Sequence, residues 1–220
     1  MVTIIDYGIG NLRSIEKAFQ RVGADVLRTD RPEDLARAER LVLPGVGAFG
    51  ACIDEVRRRQ LEGPILEAAE RGTPLLGVCV GMQILFEVGE EMGMHKGLGI
   101  LPGRVIRFDS MYTSDAAKPG LEETVPVVER RLLKVPHMGW NTVAPKYDAP
   151  LLAGLESDAF FYFVHSYYAA PSHPNDVLAT ASYGIDFPAI VARNNVYGVQ
   201  FHPEKSHRNG LQILKNFAQP

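Results

Sequence analysis

The feature that most constrains this chain is a run of short apolar segments alternating with helical stretches and punctuated by glycine and proline. Val2-Thr3-Ile4-Ile5, Leu41-Val42-Leu43 and Pro74-Leu75-Leu76-Gly77-Val78 each read as a short buried strand. Between the first two, Leu12, Ile15, Phe19 and Val22 recur at helical spacing until Gly23 stops the pattern. Residues 25–27 predict another strand, 32–38 a short helix with Pro32 near its start, and 49–70 a long helical region broken at Gly63-Pro64. Strands that are apolar throughout and separated by helices belong in a parallel sheet covered on both faces. The expected class is therefore α/β, with three layers and a mostly parallel central sheet flanked by helices. Functional groups in such a sheet lie at the carboxyl ends of the strands.

The second half reads differently. Residues 104–108 are strand-like, whereas 109–124 are polar, contain Pro119-Gly120 and predict a surface loop or hairpin insertion. Strands follow at 125–128, 160–168, 177–183, 188–193 and 196–201, with turn chemistry at Gly184-Ile185-Asp186 and Asn194-Asn195. Antiparallel strands are thus added to the sheet, and a terminal helix runs over 209–217. No internal repeat or linker divides the chain, so one domain over residues 1–220 is expected.

Composition narrows the function. The chain has 220 residues, 46% of them hydrophobic and 22% charged, which is ordinary for a soluble globular protein. A formal net charge of -3 gives no electrostatic case for nucleic acid. No apolar run reaches membrane-spanning length, and the opening strand lacks the basic lead of a signal peptide. Two cysteines, Cys52 and Cys79, make neither a disulfide framework nor a metal cluster. Cys52 lies among apolar helical neighbours and reads as packing. A reduced, cytoplasmic setting fits all of this, and neither a metal nor a cofactor is expected.

Cys79 reads otherwise. It stands where an apolar strand meets a helical pattern carrying Met82, Leu85 and Phe86 on one face, with Gly89 near its end. Gly77 and Gly81 bracket it, and glycine at both positions lets strand and helix pack closely behind a strained turn. The helix N-terminus would favour the thiolate, the attacking form. A cysteine nucleophile needs a base, and the base needs an orienting group. Gly198-Val199-Gln200-Phe201-His202-Pro203-Glu204 offers both: a strand ends at His202, and Glu204 can turn back onto the imidazole. His165 also ends an apolar strand but has no carboxylate close in sequence. Gly8 and Gly10 resemble the start of a dinucleotide fingerprint, but Arg13 replaces its third glycine.

The stretches around Cys79 and around His202 resemble the class I (triad) glutamine amidotransferases. Three more stretches, Asp6-Tyr7-Gly8-Ile9-Gly10-Asn11-Leu12, Pro44-Gly45-Val46-Gly47-Ala48-Phe49 and Pro136-His137-Met138-Gly139-Trp140-Asn141, are similar to the branch that forms the glutaminase subunits of imidazole glycerol phosphate synthases. Val80 departs from that pattern, which more usually has leucine, and 109–124 is longer than the usual connection. The resemblance implies that Cys79 attacks glutamine, His202 shuttles protons and Glu204 orients it. It implies oxyanion donors at Val80 and Val46, the latter on a loop that must rearrange to supply its N–H. Gly47, Gln83, Glu91, Ser166 and Tyr167 would bind the substrate, with Glu91 on its α-ammonium. Asn11, Trp140, Tyr162 and Lys205 would face a partner, a (β/α)₈-barrel cyclase of histidine biosynthesis held in a heterodimer, to which ammonia passes.

Overall fold

The computed structural model describes residues 1–109, 111–114 and 129–219. In the first half, β1 (Val2–Ile5), α1 (Leu12–Arg21), β2 (Val26–Thr29), α2 (Pro32–Ala36), β3 (Leu41–Gly45), α3 (Phe49–Arg58), α4 (Glu62–Glu70) and β4 (Leu75–Cys79) alternate much as the pattern predicts. Every residue of β1, β3 and β4 is buried, as befits strands covered on both faces. They pair in parallel in the order β4-β3-β1-β2. Phe19 of α1 meets Phe217 of the last helix with ring centroids 6.4 Å apart.

The break in the long helical region is not at Gly63-Pro64. α3 ends where Gln60 adopts φ 59° and the Leu61 N–H reaches back to the Val56 carbonyl at 3.0 Å, the bond of a left-handed helix stop. Gly63 and Pro64 instead lie in the first turn of α4, where the amide that proline lacks has no intrahelical partner to lose.

The helix after Cys79 is also shorter than its apolar spacing suggests. α5 is one turn (Val80–Gln83), and the chain then enters β5 (Phe86–Gly89). Ile84, Leu85 and Phe86 are buried on all sides, so periodicity alone does not separate strand from helix there. β5 belongs to a second sheet with β6 (His95–Lys96) and β7 (Leu101–Arg107). β8 (Met111–Ser114), inside the expected 109–124 insertion, pairs antiparallel with β9 (Glu129–Leu132), which lies beyond it. The expected strand at 125–128 and most of the 109–124 segment lie outside the described residues.

Beyond these come β10 (His137–Thr142), β11 (Ala144–Pro145), β12 (Phe160–His165), β13 (Tyr167–Pro171), β14 (Val177–Tyr183), β15 (Ile185–Arg193), β16 (Val196–Val199) and α6 (His207–Ala218). The principal sheet has eight strands in the order β11-β14-β15-β16-β4-β3-β1-β2. Its first-half strands and β16 are parallel, and β11, β14 and β15 add an antiparallel edge. The expected fold class therefore holds. The single strand expected over 160–168 is divided at Ser166, because β12 pairs with β10 and β13 with β7 in the second sheet. Among the described residues no helix is long and apolar enough to cross a membrane.

Two glycines distinguish packing from propensity. A Cβ on Gly81 would lie 1.8 Å from the Leu43 carbonyl oxygen, whereas one on Gly63 would meet nothing within 4 Å. Gly81→Ala should destabilise the fold by about 1–3 kcal/mol although alanine is the better helix former. Gly63→Ala should stabilise it by roughly 0.5–1 kcal/mol. Urea unfolding midpoints read both, and a neutral Gly81→Ala would show that β3 and α5 are not packed as described.

Candidate active site

β4 delivers Cys79 at its carboxyl end with φ 56° and ψ -113°, a left-handed conformation that costs a non-glycine residue of order 1–3 kcal/mol. The surroundings impose it. A Cβ on Gly77 would lie 2.6 Å from Met82 Cα, and one on Gly45 would lie 2.4 Å from the Gly81 nitrogen. The ends of β3 and β4 and the turn of α5 are thus stacked at glycine distance, with the cysteine on the apex. Because α5 is a single turn, no long helix dipole acts on the sulfur, contrary to the expectation from the sequence. The side chains that meet the sulfur are instead the imidazole of His202 and the amide of Gln200.

His202 follows β16, the parallel neighbour of β4. Its N–H donates to the Tyr162 carbonyl at 2.9 Å, and its own carbonyl accepts from the Ser206 hydroxyl at 2.7 Å, so the backbone is fixed on both sides. Nδ1 lies 3.0 Å from Glu204 Oε1, which leaves the opposite side of the ring to the Cys79 sulfur. Burial alone would lower the imidazole pKa, but Cys79 and Glu204 outweigh it and hold the proton well above the usual imidazole range. Burial likewise opposes ionisation of Glu204, and His202 overcomes it, holding the carboxyl below its ordinary value. Glu204 Oε1 also accepts from Asn11 Nδ2 at 3.1 Å. Asn11, expected at a partner face, is thus a support of this carboxylate.

His165, the rival base, has both ring nitrogens engaged, one with the Tyr167 carbonyl at 2.8 Å and one with His137 at 3.1 Å. Burial pushes its pKa down to about 3.

Cys79, Val80, His202 and Lys205 line a cavity of about 420 Å³ together with Val46, Gly47, Gln83, Glu91, Ser166 and Tyr167. Every residue expected to bind substrate therefore faces one space. Glu91 does so with one oxygen engaged, since its Oε2 accepts the Phe49 N–H at the start of α3 at 2.7 Å. The Tyr167 carbonyl is filled by the His165 ring and by Gln83 Nε2 at 3.0 Å, so it is not open to a ligand. On the loop after β3, Tyr7 Oη donates to the Pro44 carbonyl at 2.6 Å and the Cys52 thiol to the Val46 carbonyl at 3.3 Å. Burial raises the Cys52 pKa to about 11, in keeping with an inert thiol.

Trp140 and Tyr162 are not core aromatics. They are cross-strand partners on the β10–β12 pair, and Met138, Trp140 and Phe160 expose 62%, 46% and 51% of their surface on the same face. Trp140 stacks on His207 at 5.1 Å, and Lys205 Nζ lies 5.9 Å above the Tyr162 ring. Contact surfaces form on apolar, aromatic strips of this kind.

Two groups at the site were not singled out from the sequence. Gln200 sits two residues before His202, and its amide reaches Gln83 at 3.1 Å and Cys79 Sγ at 3.9 Å. His137, in the Pro136–Asn141 stretch, meets the cavity-lining His165 at 3.1 Å. For Gln200 the two-residue period of an extended strand carried the signal.

Residues 3–219 match the glutamine amidotransferase class-I family, and the chain belongs to it. It is 60% identical over 218 residues to the imidazole glycerol phosphate synthase subunit HisH of Salinibacter ruber, a match covering 99% of this chain and 94% of that one. The subunit of the same name from Syntrophotalea carbinolica is 49% identical, with 99% of each chain covered. Among solved structures, one titled as a glutamine amidotransferase superposes with a TM-score of 0.67 at 20% identity over 97% of this chain and 98% of that one. PurLQS from Thermotoga maritima gives 0.69 at 18% identity, covering 98% and 96%. Likeness at that identity speaks for the fold alone.

Proposed function

We propose that the chain is a single-domain glutaminase that hydrolyses glutamine to glutamate and ammonia and passes the ammonia to a (β/α)₈-barrel cyclase subunit, which uses it in histidine biosynthesis. The observation that carries the reading is Cys79 strained at the end of β4, beside an imidazole held at 3.0 Å by Glu204, at the wall of a cavity that also carries Gln83 and Glu91. In the proposed reaction the Cys79 thiolate adds to the carboxamide carbon. The negative oxygen of the tetrahedral intermediate accepts hydrogen bonds from the Val80 N–H and, once the loop is arranged for it, the Val46 N–H. His202 gives its proton to the departing nitrogen, which leaves as ammonia, and a γ-glutamyl thioester remains. Water then attacks the thioester while His202 takes a proton, and glutamate leaves as the sulfur is restored. Glu204 keeps the imidazole in one tautomer throughout, and Glu91 receives the α-ammonium.

The partner is supported by the exposed strip of Met138, Trp140 and Phe160, with Lys205 and the half-buried Tyr162 beside it, and by the word subunit in the relatives' names. A cytoplasmic setting suits a thiol nucleophile.

A diazo-ketone analogue of glutamine tests the reading, because it alkylates the thiolate that attacks the carboxamide. Mass spectrometry should find one adduct, on Cys79. Cys52, fully buried and held as the thiol, should stay unmodified. An adduct on Cys52 with Cys79 untouched would remove the nucleophile from the proposal.

A further inference from the structure

We propose that His137 and Asn141 are positioning residues for glutamine: with His165 they form a hydrogen-bond chain of fixed direction, running from β10 to the Tyr167 carbonyl and holding Gln83 in the cavity as a pure acceptor. The inference rests on the glutamine reading for the identity of its ligand.

The direction follows from the two ends of the chain. Asn141 Oδ1 accepts the Thr142 N–H at 2.9 Å, and Nδ2 donates to the Ser182 carbonyl at 2.9 Å, which fixes the amide. The remaining Nδ2 proton faces His137 Nε2 at 3.3 Å, so that nitrogen carries the lone pair. The proton of neutral His137 is then on Nδ1, 3.1 Å from His165 Nε2. At the far end the Tyr167 carbonyl can only accept, so His165 Nδ1, 2.8 Å away, carries the hydrogen and Nε2 is bare. The two assignments, made independently, agree at the bond between the rings. A further proton on either imidazole would set two hydrogens against each other or one against the Asn141 amide. Burial also disfavours it, lowering the pKa of His137 to about 4 and of His165 to about 3.

The chain continues into the cavity. Gln83 Nε2 gives one proton to the Tyr167 carbonyl at 3.0 Å and the other to Gln200 Oε1 at 3.1 Å. Turning the Gln83 amide over would bring its oxygen against two acceptors. With both protons engaged, Gln83 offers a ligand only Oε1, and so selects an N–H donor there rather than a carboxylate. His137 acts on this through His165. Without a donor at Nε2 the His165 ring is free to take its other tautomer, and the Tyr167 carbonyl loses the partner that fixes it. The His137 ring itself is held between Tyr183, at 4.1 Å, and Phe163, at 5.0 Å. Strand alternation then gives β10 two faces, Met138 and Trp140 exposed on one and the relay on the other.

The relay is tested by glutamine binding in a Cys79→Ala background, measured by titration calorimetry. His137→Phe keeps an aromatic ring between Tyr183 and Phe163 but removes both nitrogens, and should weaken glutamine binding about tenfold, the scale of one hydrogen bond at a buried site. His137→Asn, whose amide N–H stands where Nδ1–H was, should recover most of that loss. Undiminished binding by the phenylalanine variant, or an asparagine variant as weak as phenylalanine, overturns the relay and leaves the glutamine reading intact. Failure of the Cys79→Ala parent to bind glutamine overturns that reading instead. ¹⁵N resonances of the unsubstituted protein decide the point even if a variant does not fold. Both rings should be neutral and protonated on Nδ1 at pH 7, and an Nε2–H tautomer or an imidazolium at either residue refutes the chain.

Discussion

His202→Asn should abolish nearly all glutamine hydrolysis, lowering kcat by roughly 10⁴-fold or more on the scale of other catalytic triads. Asparagine can still accept or donate a hydrogen bond, but it cannot carry the proton from the sulfur to the leaving nitrogen. His165→Asn makes the comparison, because it retains a donor for the Tyr167 carbonyl. Measured at saturating glutamine, it should retain substantial turnover, since both nitrogens of His165 are engaged in the protein and neither is free to act as a base. Losses in the reverse order would mean that the proton carrier has been misassigned.

Glutaminase turnover by the isolated chain should be slow, and should rise by at least about 10²–10³ when the cyclase subunit and its nucleotide ligand are added. The argument starts from the loop that follows β3. Its Pro44 and Val46 carbonyls are tied to Tyr7 and Cys52, so the peptide unit between Gly45 and Val46 lies between two fixed points. The resemblance to the amidotransferase loop implies that the Val46 N–H must be turned into place. One missing oxyanion donor costs roughly 2.7–4 kcal/mol, which is the expected factor. Gating of this kind would keep ammonia from being released into water, where protonation ends its nucleophilicity. Steady-state assays of the chain alone, with the cyclase, and with cyclase plus ligand measure the effect. Full activity from the isolated chain, unchanged by either addition, would rule gating out. Changes at Trp140, Tyr162 or Lys205 should diminish stimulation more than basal turnover.

Much of this was legible in the sequence because it is local. The parallel strands announce themselves as unbroken apolar runs, and Cys79 sits between two glycines that the packing requires. Glu204 is two residues from the imidazole it holds. What could not be read depends on pairing across the chain. Asn11 reaches Glu204 across 193 positions, and His137 meets His165 only through the register of β10 with β12. The division at Ser166 was hidden because both halves of the apolar run are true strands that belong to different sheets. The short α5 was missed for a related reason: complete burial of Ile84, Leu85 and Phe86 erases the periodicity that would have told helix from strand.

The glycines after β3 also bound how far the proposed gate can travel. Gly45 is wedged against the Gly81 nitrogen and the Tyr7 hydroxyl, leaving no room for even a methyl group, whereas Gly47, at φ 85°, has nothing within 4 Å of where its Cβ would be. One end of the segment is packed tight, and the other has open space beside it. A swinging lid would need several loose residues, and here the carbonyls on either side of Gly45 are both tied. Opening and closing would therefore amount to the rotation of a peptide plane, a switch thrown in place, with the strand beneath it and the cysteine beside it standing still.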